Sequence, residues 1–335
     1  MTVDLHHHGD AELAPGLVDF AVNVRAGTPP AWLRERLRGW VDDLAAYPSD
    51  LAAREVAAAR HGRRVDEALI TAGAAESFVL LARALNPRRA VVVHPAFTEP
   101  EAALHAAGVI VDRVVLTEPF VLDPALVRHD ADLVVIGNPT NPTGVLHPRR
   151  VLESLRRPGR VLVVDEAFMD FVPGETESMA GDRAVVVIRS LTKMWGLAGL
   201  RVGYLLGPAE IVGRLNAVRP PWATSSLANL AVGACLGADA LREAQQAAIE
   251  TAAEAGLFAG TLRSLPGVEV WPAAANFLLL RVAGRPDLHA ALRDQGFAVR
   301  RCDTFPGLGP DYVRIAVRAA AVNDALAAAL RTTIG

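Results

Sequence analysis

Short runs of consecutive apolar residues, rich in valine, recur along the first two thirds of the chain. Because these runs are apolar at every position, each predicts a strand that is buried on both faces of a sheet. They span residues 90–93, 133–136, 161–164, 184–188 and 202–206. The neighbouring stretches at 76–85 and 101–107 have the pattern of helices. The sequence therefore predicts an α/β fold with a mostly parallel central sheet covered by helices.

The pattern changes after residue 215. An alanine-rich stretch at 228–259 predicts one long helix. Strand patterns then alternate with helix patterns: strands at 277–282, 297–300 and 313–317, and helices at 286–295 and 321–331. This part of the chain predicts a second, smaller α/β domain.

Composition excludes several classes of protein. With 335 residues, 51% hydrophobic and 21% charged, the chain has room for two domains of about 150 residues each and is not of disordered composition. The 34 Lys and Arg residues against 37 Asp and Glu residues give a net charge of −3, which argues against a nucleic-acid partner. Two cysteines, Cys235 and Cys302, exclude a disulfide framework and favour a cytoplasmic location. We expect neither a signal peptide nor a membrane span, because the N-terminus lacks an apolar core and the uncharged stretch at 220–238 contains prolines and polar residues.

Polar side chains follow three successive predicted strands, at the edge where function collects in sheets of this kind. They are an amide, a carboxylate, and a lysine flanked by hydroxyls and an arginine: Asn141, Asp165, Ser190, Thr192, Lys193 and Arg201. Singly, each could belong to a turn, a cap or the surface. Together they match the needs of a pyridoxal 5′-phosphate (PLP) enzyme, which uses a lysine for a Schiff base, a carboxylate at the pyridine nitrogen and donors for the phosphate.

Four segments in this order carry a specific resemblance: Asn-Pro-Thr-Gly at 141–144, Asp-Glu-Ala-Phe at 165–168, Ser-x-Thr-Lys at 190–193 and Gly-x-Arg-x-Gly at 199–203. The chain resembles the fold type I, class I/II aminotransferase family of PLP enzymes, in the branch with histidinol-phosphate aminotransferases and threonine-phosphate decarboxylases. The resemblance implies an aspartate aminotransferase-like fold in three parts. These are an N-terminal segment on the small domain (residues 1–40), a large PLP-binding domain (41–220), and an interdomain helix with the small domain (221–335).

The resemblance also assigns a role to each matching position. It implies that Lys193 binds the cofactor covalently and that Asp165 pairs with the ring nitrogen, so these two are the expected catalytic residues. The other implied cofactor contacts are Tyr47, Ala74, Ala75, Phe97, Asn141, Phe168, Ser190, Thr192 and Arg201. Tyr47 would come from the neighbouring subunit, which implies a homodimer with composite sites. Phe168 stands where the family has a tyrosine, so the hydroxyl that would bind the phenolic oxygen is missing.

Two arginines on the predicted C-terminal strands, Arg300 and Arg314, are candidates to bind the substrate. A guanidinium group pairs with a carboxylate or with a phosphate, so residue type does not choose between them. The adjacent Arg301 and Arg318 are expected to point the other way, as surface charges.

The N-terminal part of the resemblance adds further substrate contacts. It implies that His8 and Asn23 contact a substrate phosphate, with Asn141 as a third substrate-binding residue. His6 and His7 are interpreted as a disordered polar terminus or the remnant of a tag. No second cluster of ligands supports a metal site.

The orientation of the substrate decides which bond at its α-carbon breaks, because the bond perpendicular to the cofactor ring is the one that is weakened. The segments at 165–171, 189–193, 305–308 and 314–318 are more similar to threonine-phosphate decarboxylases, although those at 24–30 and 223–225 depart from them. The main expectation is therefore decarboxylation of L-threonine O-3-phosphate to (R)-1-aminopropan-2-yl phosphate in cobalamin biosynthesis. Transamination of the histidinol-phosphate type is the alternative. A non-catalytic PLP-binding module is a third reading, which the presence of Lys193 disfavours.

Overall fold

The computed structural model describes residues 4–334, which form two lobes built on separate sheets. The helices in this range are α1 (Ala31–Gly39), α2 (Leu51–Arg60), α3 (Ala74–Leu85), α4 (Glu99–Ala106), α5 (Arg149–Ser154), α6 (Leu191–Met194), α7 (Ala209–Ala217), α8 (Ser226–Cys235), α9 (Ala238–Arg263), α10 (Leu288–Asp294) and α11 (Ala320–Ile334). The strands are β1 (Val18–Asp19), β2 (Ala68–Thr71), β3 (Ala90–His94), β4 (Val111–Val115), β5 (Leu133–Gly137), β6 (Val161–Asp165), β7 (Val186–Ser190), β8 (Gly203–Leu206), β9 (Val268–Val270), β10 (Phe277–Val282), β11 (Phe297–Ala298), β12 (Arg300–Arg301) and β13 (Tyr312–Ala316).

The large lobe contains a seven-stranded sheet with the order β2-β8-β7-β6-β5-β3-β4. Its strands are parallel except β8, which runs antiparallel to both β2 and β7. Val91 and Val93 of β3 pack in one hydrophobic core, and Ala90 and Val92 pack in another. Since successive side chains of a strand point to opposite faces, both faces of the sheet are buried. The predicted α/β fold with a mostly parallel central sheet is thereby confirmed.

The edge strand β4 was not predicted from the apolar runs. It contains Asp112 and Arg113, and its residues are mostly half-buried or exposed. A strand at the edge of a sheet has less of its surface covered, so it tolerates charged residues and lacks the continuous apolar run of the central strands.

The small lobe is built on an antiparallel sheet with the order β12-β13-β10-β9. The prediction of one strand at 297–300 is wrong in detail, because the chain changes partners at Val299: β11 pairs with β1, and β12 pairs with β13. The prediction of one helix at 228–259 is also wrong. Gly237 has an extended backbone (φ −67°, ψ 155°), so the stretch divides into α8 and α9.

The N-terminal residues contribute to both lobes. Phe20 packs with α9 residues in the core of the small lobe, whereas Leu33 of α1 packs with Val232 of α8 in a core of the large lobe. The division of the chain at residues 40 and 220 remains a prediction. Within residues 4–334, no helix combines the length and the apolar character needed to cross a membrane.

Candidate active site

A cavity of about 580 Å³ lies at the carboxyl ends of β5, β6 and β7, between the two lobes. The ladder register sets Gly137 beside Asp165 and Asp165 beside Ile188, so the polar segments that follow these strands meet at one edge of the sheet. All the predicted site residues except Tyr47 line this cavity: His8, Asn23, Ala74, Ala75, Phe97, Asn141, Asp165, Phe168, Ser190, Thr192, Lys193, Arg201, Arg300 and Arg314.

One end of the cavity is shaped to hold a phosphate. Helix α3 begins here at Ala74. Its N-cap residue is Gly73, so no capping side chain accepts hydrogen bonds from the first N–H groups of the helix. Gly73 has a φ of +76°, and a Cβ atom on it would lie 2.8 Å from Nη2 of Arg201, so only glycine fits. The hydroxyls of Ser190 and Thr192 lie 2.7 Å apart at the same end. A helix N-terminus, two hydroxyls and a guanidinium group are a suitable donor set for a phosphate dianion.

The lysine and the aspartate at the centre of the cavity have opposite pKa shifts. Burial lowers the pKa of Lys193 to about 8, and the positive charges of Arg314 and Arg201 act in the same direction. Burial raises the pKa of the Asp165 carboxyl to about 6, against the effect of the Ala167 N–H, which donates to Oδ1 at 3.0 Å. A neutral lysine amine can attack an aldehyde, and a buried carboxylate is stabilised by a cationic ring nitrogen.

Lys193 is also the only lysine in the 335 residues, among 34 basic residues. This signal is present in the sequence, but the prediction for Lys193 did not rest on it. It has a practical consequence, because any reaction that is specific for a side-chain amine reports on Lys193 alone.

Aromatic rings and an amide surround the space next to Lys193. Phe168 packs edge-on against Phe277, with ring centroids 4.9 Å apart, and Nζ of Lys193 lies 5.9 Å from the Phe168 ring. Oδ1 of Asn141 accepts a hydrogen bond from Nη1 of Arg314 at 2.5 Å. The oxygen of this amide is therefore engaged, and its NH2 group remains available to donate to a ligand.

The small lobe contributes two buried arginines that lie opposite each other on β12 and β13, Arg300 and Arg314. Arg300 donates to the His7 carbonyl and to the Thr304 hydroxyl, both at 2.7 Å, and Arg314 donates to the Ala21 carbonyl. Burial lowers the pKa of both guanidinium groups. Two like charges held together in a buried site favour the binding of anionic groups.

Asn23 is a further residue of the cavity wall whose side chain is free to contact a ligand. Its side chain is 3% exposed, and neither its amide nitrogen nor its amide oxygen has a hydrogen-bond partner among residues 4–334. Buried polar atoms are normally paired, so an amide left unpaired beside a cavity is suited to contact a ligand.

The chain matches the family model of class I and II aminotransferases over residues 15–332. The protein belongs to the class I and II aminotransferase family. It is 52% identical over 318 residues to a histidinol-phosphate aminotransferase of Mycobacterium tuberculosis, an alignment that covers 93% of this chain and 86% of that protein. It is 35% identical to the threonine-phosphate decarboxylase of Salmonella typhimurium, over 95% of this chain and 91% of that protein.

A solved structure of the histidinol-phosphate aminotransferase from Clostridium acetobutylicum is also similar, with a TM-score of 0.86 and 25% identity. The alignment covers 95% of this chain and 99% of that one. The fold is the aspartate aminotransferase-like fold of PLP enzymes, as predicted.

Members of the class I and II aminotransferase family are enzymes that use PLP, so this protein is a PLP-dependent enzyme. The cavity fits the cofactor: the N-terminus of α3 and Arg201 suit its phosphate, and Asp165 suits its ring nitrogen. When bound, PLP supplies an electron sink for negative charge at the substrate's α-carbon. The individual roles of the lining residues remain predictions.

Tyr47 lies apart from the cavity of its own chain. It is 78% exposed and stacks on Trp222, with ring centroids 4.4 Å apart. Its predicted contact with the cofactor of a neighbouring subunit remains a prediction.

The structure corrects two interpretations of individual residues in this aminotransferase-family protein. His7 is not simply a polar terminus, because it lines the cavity and its Nε2 lies 2.8 Å from Oε1 of the buried Glu12. Arg318 is not a surface charge, because it donates to the carbonyls of Asp19, Val22 and Val24. Arg301, by contrast, is exposed and pairs with Asp303, as expected for a surface residue.

Sequence reasoning missed three acidic residues near the substrate end: Asp10, Glu12 and Glu99. Asp10 and Glu99 line the cavity, and Glu12 lies behind Arg300, with 3.6 Å between Oε1 and Nη1. Asp10 and Glu12 precede every strand of the central sheet, so the strand-end rule could not find them, whereas Glu99 begins α4 just after β3 and lies within the reach of that rule.

Proposed function

We propose that this protein catalyses PLP-dependent transamination of a small phosphorylated amine of the histidinol-phosphate type. The observation that carries the proposal is the 52% identity, over 93% of the chain, to a protein named as a histidinol-phosphate aminotransferase. The protein named as a threonine-phosphate decarboxylase is 35% identical. The comparisons thus favour the alternative reading of the sequence over the decarboxylation that we expected first.

The two arginines support this proposal in physical terms. A transaminase binds two substrates in turn, and a phosphorylated amine and a dicarboxylic amino acid need cations at similar places. Arg314 is hydrogen-bonded to Asn141 and is therefore close to the cofactor end of the cavity, where it suits an α-carboxylate. Arg300 lies on the next strand and suits a distal phosphate or carboxylate, both of which a guanidinium group binds in a bidentate manner.

Lys193 suits the proton transfer that transamination requires. A group that takes a proton from the α-carbon and returns it is most effective when its pKa lies near the working pH. Burial lowers the pKa of Lys193 to about 8, so a useful fraction of the amine is neutral near neutral pH. The buried Asp165 sits across the same cavity, where it would hold the cofactor ring in its protonated form.

Decarboxylation of L-threonine O-3-phosphate is a second candidate. Phe168 in place of the family's tyrosine, and the unpaired amide of Asn23 in the cavity wall, are the observations that favour it. Both reactions need a bound phosphate, and they differ in whether the Cα–H bond or the bond to the carboxylate stands perpendicular to the ring.

The deciding experiment uses the purified holoenzyme with two substrate sets in parallel. One set is L-histidinol phosphate with 2-oxoglutarate, with glutamate as the measured product. The other is L-threonine O-3-phosphate without a keto acid, with carbon dioxide as the measured product. Glutamate formation that depends on both reactants supports transamination, and release of carbon dioxide without glutamate formation rejects it.

We also propose that the protein acts as a homodimer in the cytoplasm. Tyr47 and Trp222 form an exposed aromatic pair. Three aliphatic residues close to Tyr47 in the sequence are also exposed: Val41, Leu44 and Leu51. Exposed aromatic and aliphatic groups of this kind are typical of protein interfaces. Both cysteines are buried free thiols, which is consistent with a reducing compartment. Mixing Lys193→Ala and Tyr47→Ala subunits tests the composite site, because hybrid dimers then regain one complete site and partial activity.

A further inference from the structure

The cavity is lined by three carboxylates, Asp10, Glu99 and Asp165, among the residues that the structure describes. Two of them have evident partners. Asp165 lies near Lys193 and is assigned to the cofactor, and Oε1 of Glu99 is 2.7 Å from Nε2 of His8. Asp10 forms no ion pair with any residue in the range 4–334 and is exposed to the cavity. It is therefore the carboxylate that remains for a ligand.

Asp10 is held in place by the contacts of its neighbours in the chain. On one side, His8 pairs with Glu99 of α4. On the other side, Glu12 accepts hydrogen bonds from His7 and from His289 of α10, each at 2.8 Å. Although burial alone would raise it, these histidine contacts lower the pKa of Glu12 to about 2, so Glu12 is a charged anchor. The short helical turn Gly9–Glu12 is thus fixed to both lobes.

The surroundings of Gly9 show that this turn lies close to Arg314, one of the two arginines proposed to bind the substrate. A Cβ atom on Gly9 would lie 2.6 Å from the Ala21 carbonyl oxygen and 3.3 Å from Nη2 of Arg314. Asp10 is the next residue. Its negative charge also reaches Lys193, where Asp165 and Asp10 partly oppose the lowering of the lysine pKa by burial and by Arg314 and Arg201. The carboxylate of Asp10 therefore acts on the interior of the cavity.

We propose that Asp10 is a specificity-determining residue, which binds a hydrogen-bond-donating or cationic group of the amine substrate. This inference rests on the proposed function and narrows it to amines that carry a group such as an imidazole. An imidazole N–H donates to a carboxylate in either protonation state. L-Threonine O-3-phosphate carries only a methyl group besides its amine, phosphate and carboxylate, so it offers no such additional donor, and Asp10 repels its carboxylate.

The test compares two ligands in the holoenzyme of the wild type and of Asp10→Asn, which removes the charge and keeps the size. Asp324→Asn is the matched control, because Asp324 is an exposed aspartate of α11 that lies outside the cavity. The first measurement is kcat/KM for L-histidinol phosphate with 2-oxoglutarate. The second is the dissociation constant of L-threonine O-3-phosphate, from the change in the visible absorption of the bound cofactor.

We expect Asp10→Asn to lower kcat/KM for histidinol phosphate about tenfold, mainly through KM, because the loss of one charge-assisted hydrogen bond has this size. Threonine phosphate is expected to bind more tightly, because the repulsion by Asp10 is removed, and Asp324→Asn is expected to change neither quantity. A role of Asp10 in structure alone would weaken both ligands together. Equal weakening of both, or no change with histidinol phosphate, overturns the inference.

The outcome is separable from that of the proposed function. If the wild type does not transaminate histidinol phosphate, the proposed function fails, and the binding of threonine phosphate still tests the repulsion by Asp10. In that case tighter binding in Asp10→Asn supports the charge effect. Unchanged or weaker binding overturns it.

Discussion

The two halves of the cavity are built in different ways. The cofactor half takes most of its side chains from segments that follow three adjacent strands, β5, β6 and β7. The substrate half takes its side chains from both ends of the chain, at residues 7–10 and 23 and at Arg300 and Arg314. We expect the first half to provide groups that any PLP reaction needs, and the second half to provide groups that distinguish one substrate from another.

The forces that hold the two halves also differ. In the cofactor half, backbone hydrogen bonds fix the strand ends, as between the Asn138 N–H and the Asp165 carbonyl at 2.8 Å. In the substrate half, the buried carboxylate of Glu12 holds the N-terminal segment through its contacts with His7, His289 and Arg300. Buried charges are costly unless they are paired, so a single substitution in the substrate half leaves a partner unpaired. We therefore expect changes in the cofactor half to affect all substrates, and changes in the substrate half to affect some more than others.

The largest expected effect is that of Lys193→Ala in the cofactor half. We expect turnover to fall on the order of 10⁴-fold for every substrate, because the group that moves the proton is lost. In the wild type, borohydride reduction should fix the cofactor to the peptide that contains Lys193, as mass spectrometry can show. The variant has no lysine left, so it should retain no cofactor after reduction and denaturation. A loss confined to one substrate would contradict the separation of the two halves.

The second prediction concerns the reactivity of Lys193 in the cofactor-free protein. Burial and the charges of Arg314 and Arg201 lower its pKa from 10.5 to about 8. Only the neutral amine is a nucleophile, so its rate of acylation should fall about tenfold for each pH unit below 8 and level off above it. Peptide mapping of the single lysine after timed labelling measures this rate.

Arg314→Gln connects this measurement to the substrate half. Removing that positive charge should raise the pKa of Lys193, so the plateau of the labelling rate should move to higher pH. A plateau near pH 10.5 in the wild type would show that the pKa of this lysine is not lowered. An unchanged plateau in the variant would show that the two halves are electrostatically independent.

Sequence patterns predicted the cofactor half because its residues obey one local rule. Strands that are buried on both faces appear as apolar runs, and the functional residues lie within a few positions of the ends of such runs, as Asp165 and Lys193 do. The substrate half obeys no local rule. His7 lies among three consecutive histidines with no periodic pattern, and its contacts are with Glu12 and, through its carbonyl, with Arg300.

Arg318 shows the same limitation at the other end of the chain. Strand alternation placed it on the surface, but β13 ends at Ala316, so the alternation no longer applies to it. Its three hydrogen bonds reach carbonyls nearly 300 positions earlier: Asp19, Val22 and Val24. Contacts across so long a separation depend on the finished fold, and a single sequence does not contain a pattern that reports them.

The third prediction is the effect of Arg300→Lys in the substrate half. Lysine keeps the charge but loses the planar fork that binds a phosphate through two N–H groups. We expect KM for the phosphorylated substrate to rise about tenfold while kcat changes less, because the reacting bonds lie at the other end of the cavity. Arg301→Lys is the matched control, since Arg301 is adjacent, exposed and paired with Asp303. An equal effect of the two variants would remove Arg300 from the substrate site.

The smallest expected effect is that of Phe168→Tyr, at the boundary of the two halves. Phe168 follows β6 but packs against Phe277, which begins β10 of the small lobe. A tyrosine hydroxyl there would donate a hydrogen bond to the phenolic oxygen of the cofactor. That oxygen would then bind the neighbouring proton less tightly. One such hydrogen bond contributes about 1.5 kcal/mol. The pKa of that proton, measured by titrating the visible absorption of the holoenzyme, should therefore fall by about one unit. Phe168→Leu adds no donor and should not lower this pKa.

If Phe168→Tyr lowers the pKa of the cofactor and leaves KM for both phosphorylated substrates unchanged, the two halves of the cavity are separable even where they are in contact. A change in KM for one substrate alone would place Phe168 in the substrate half.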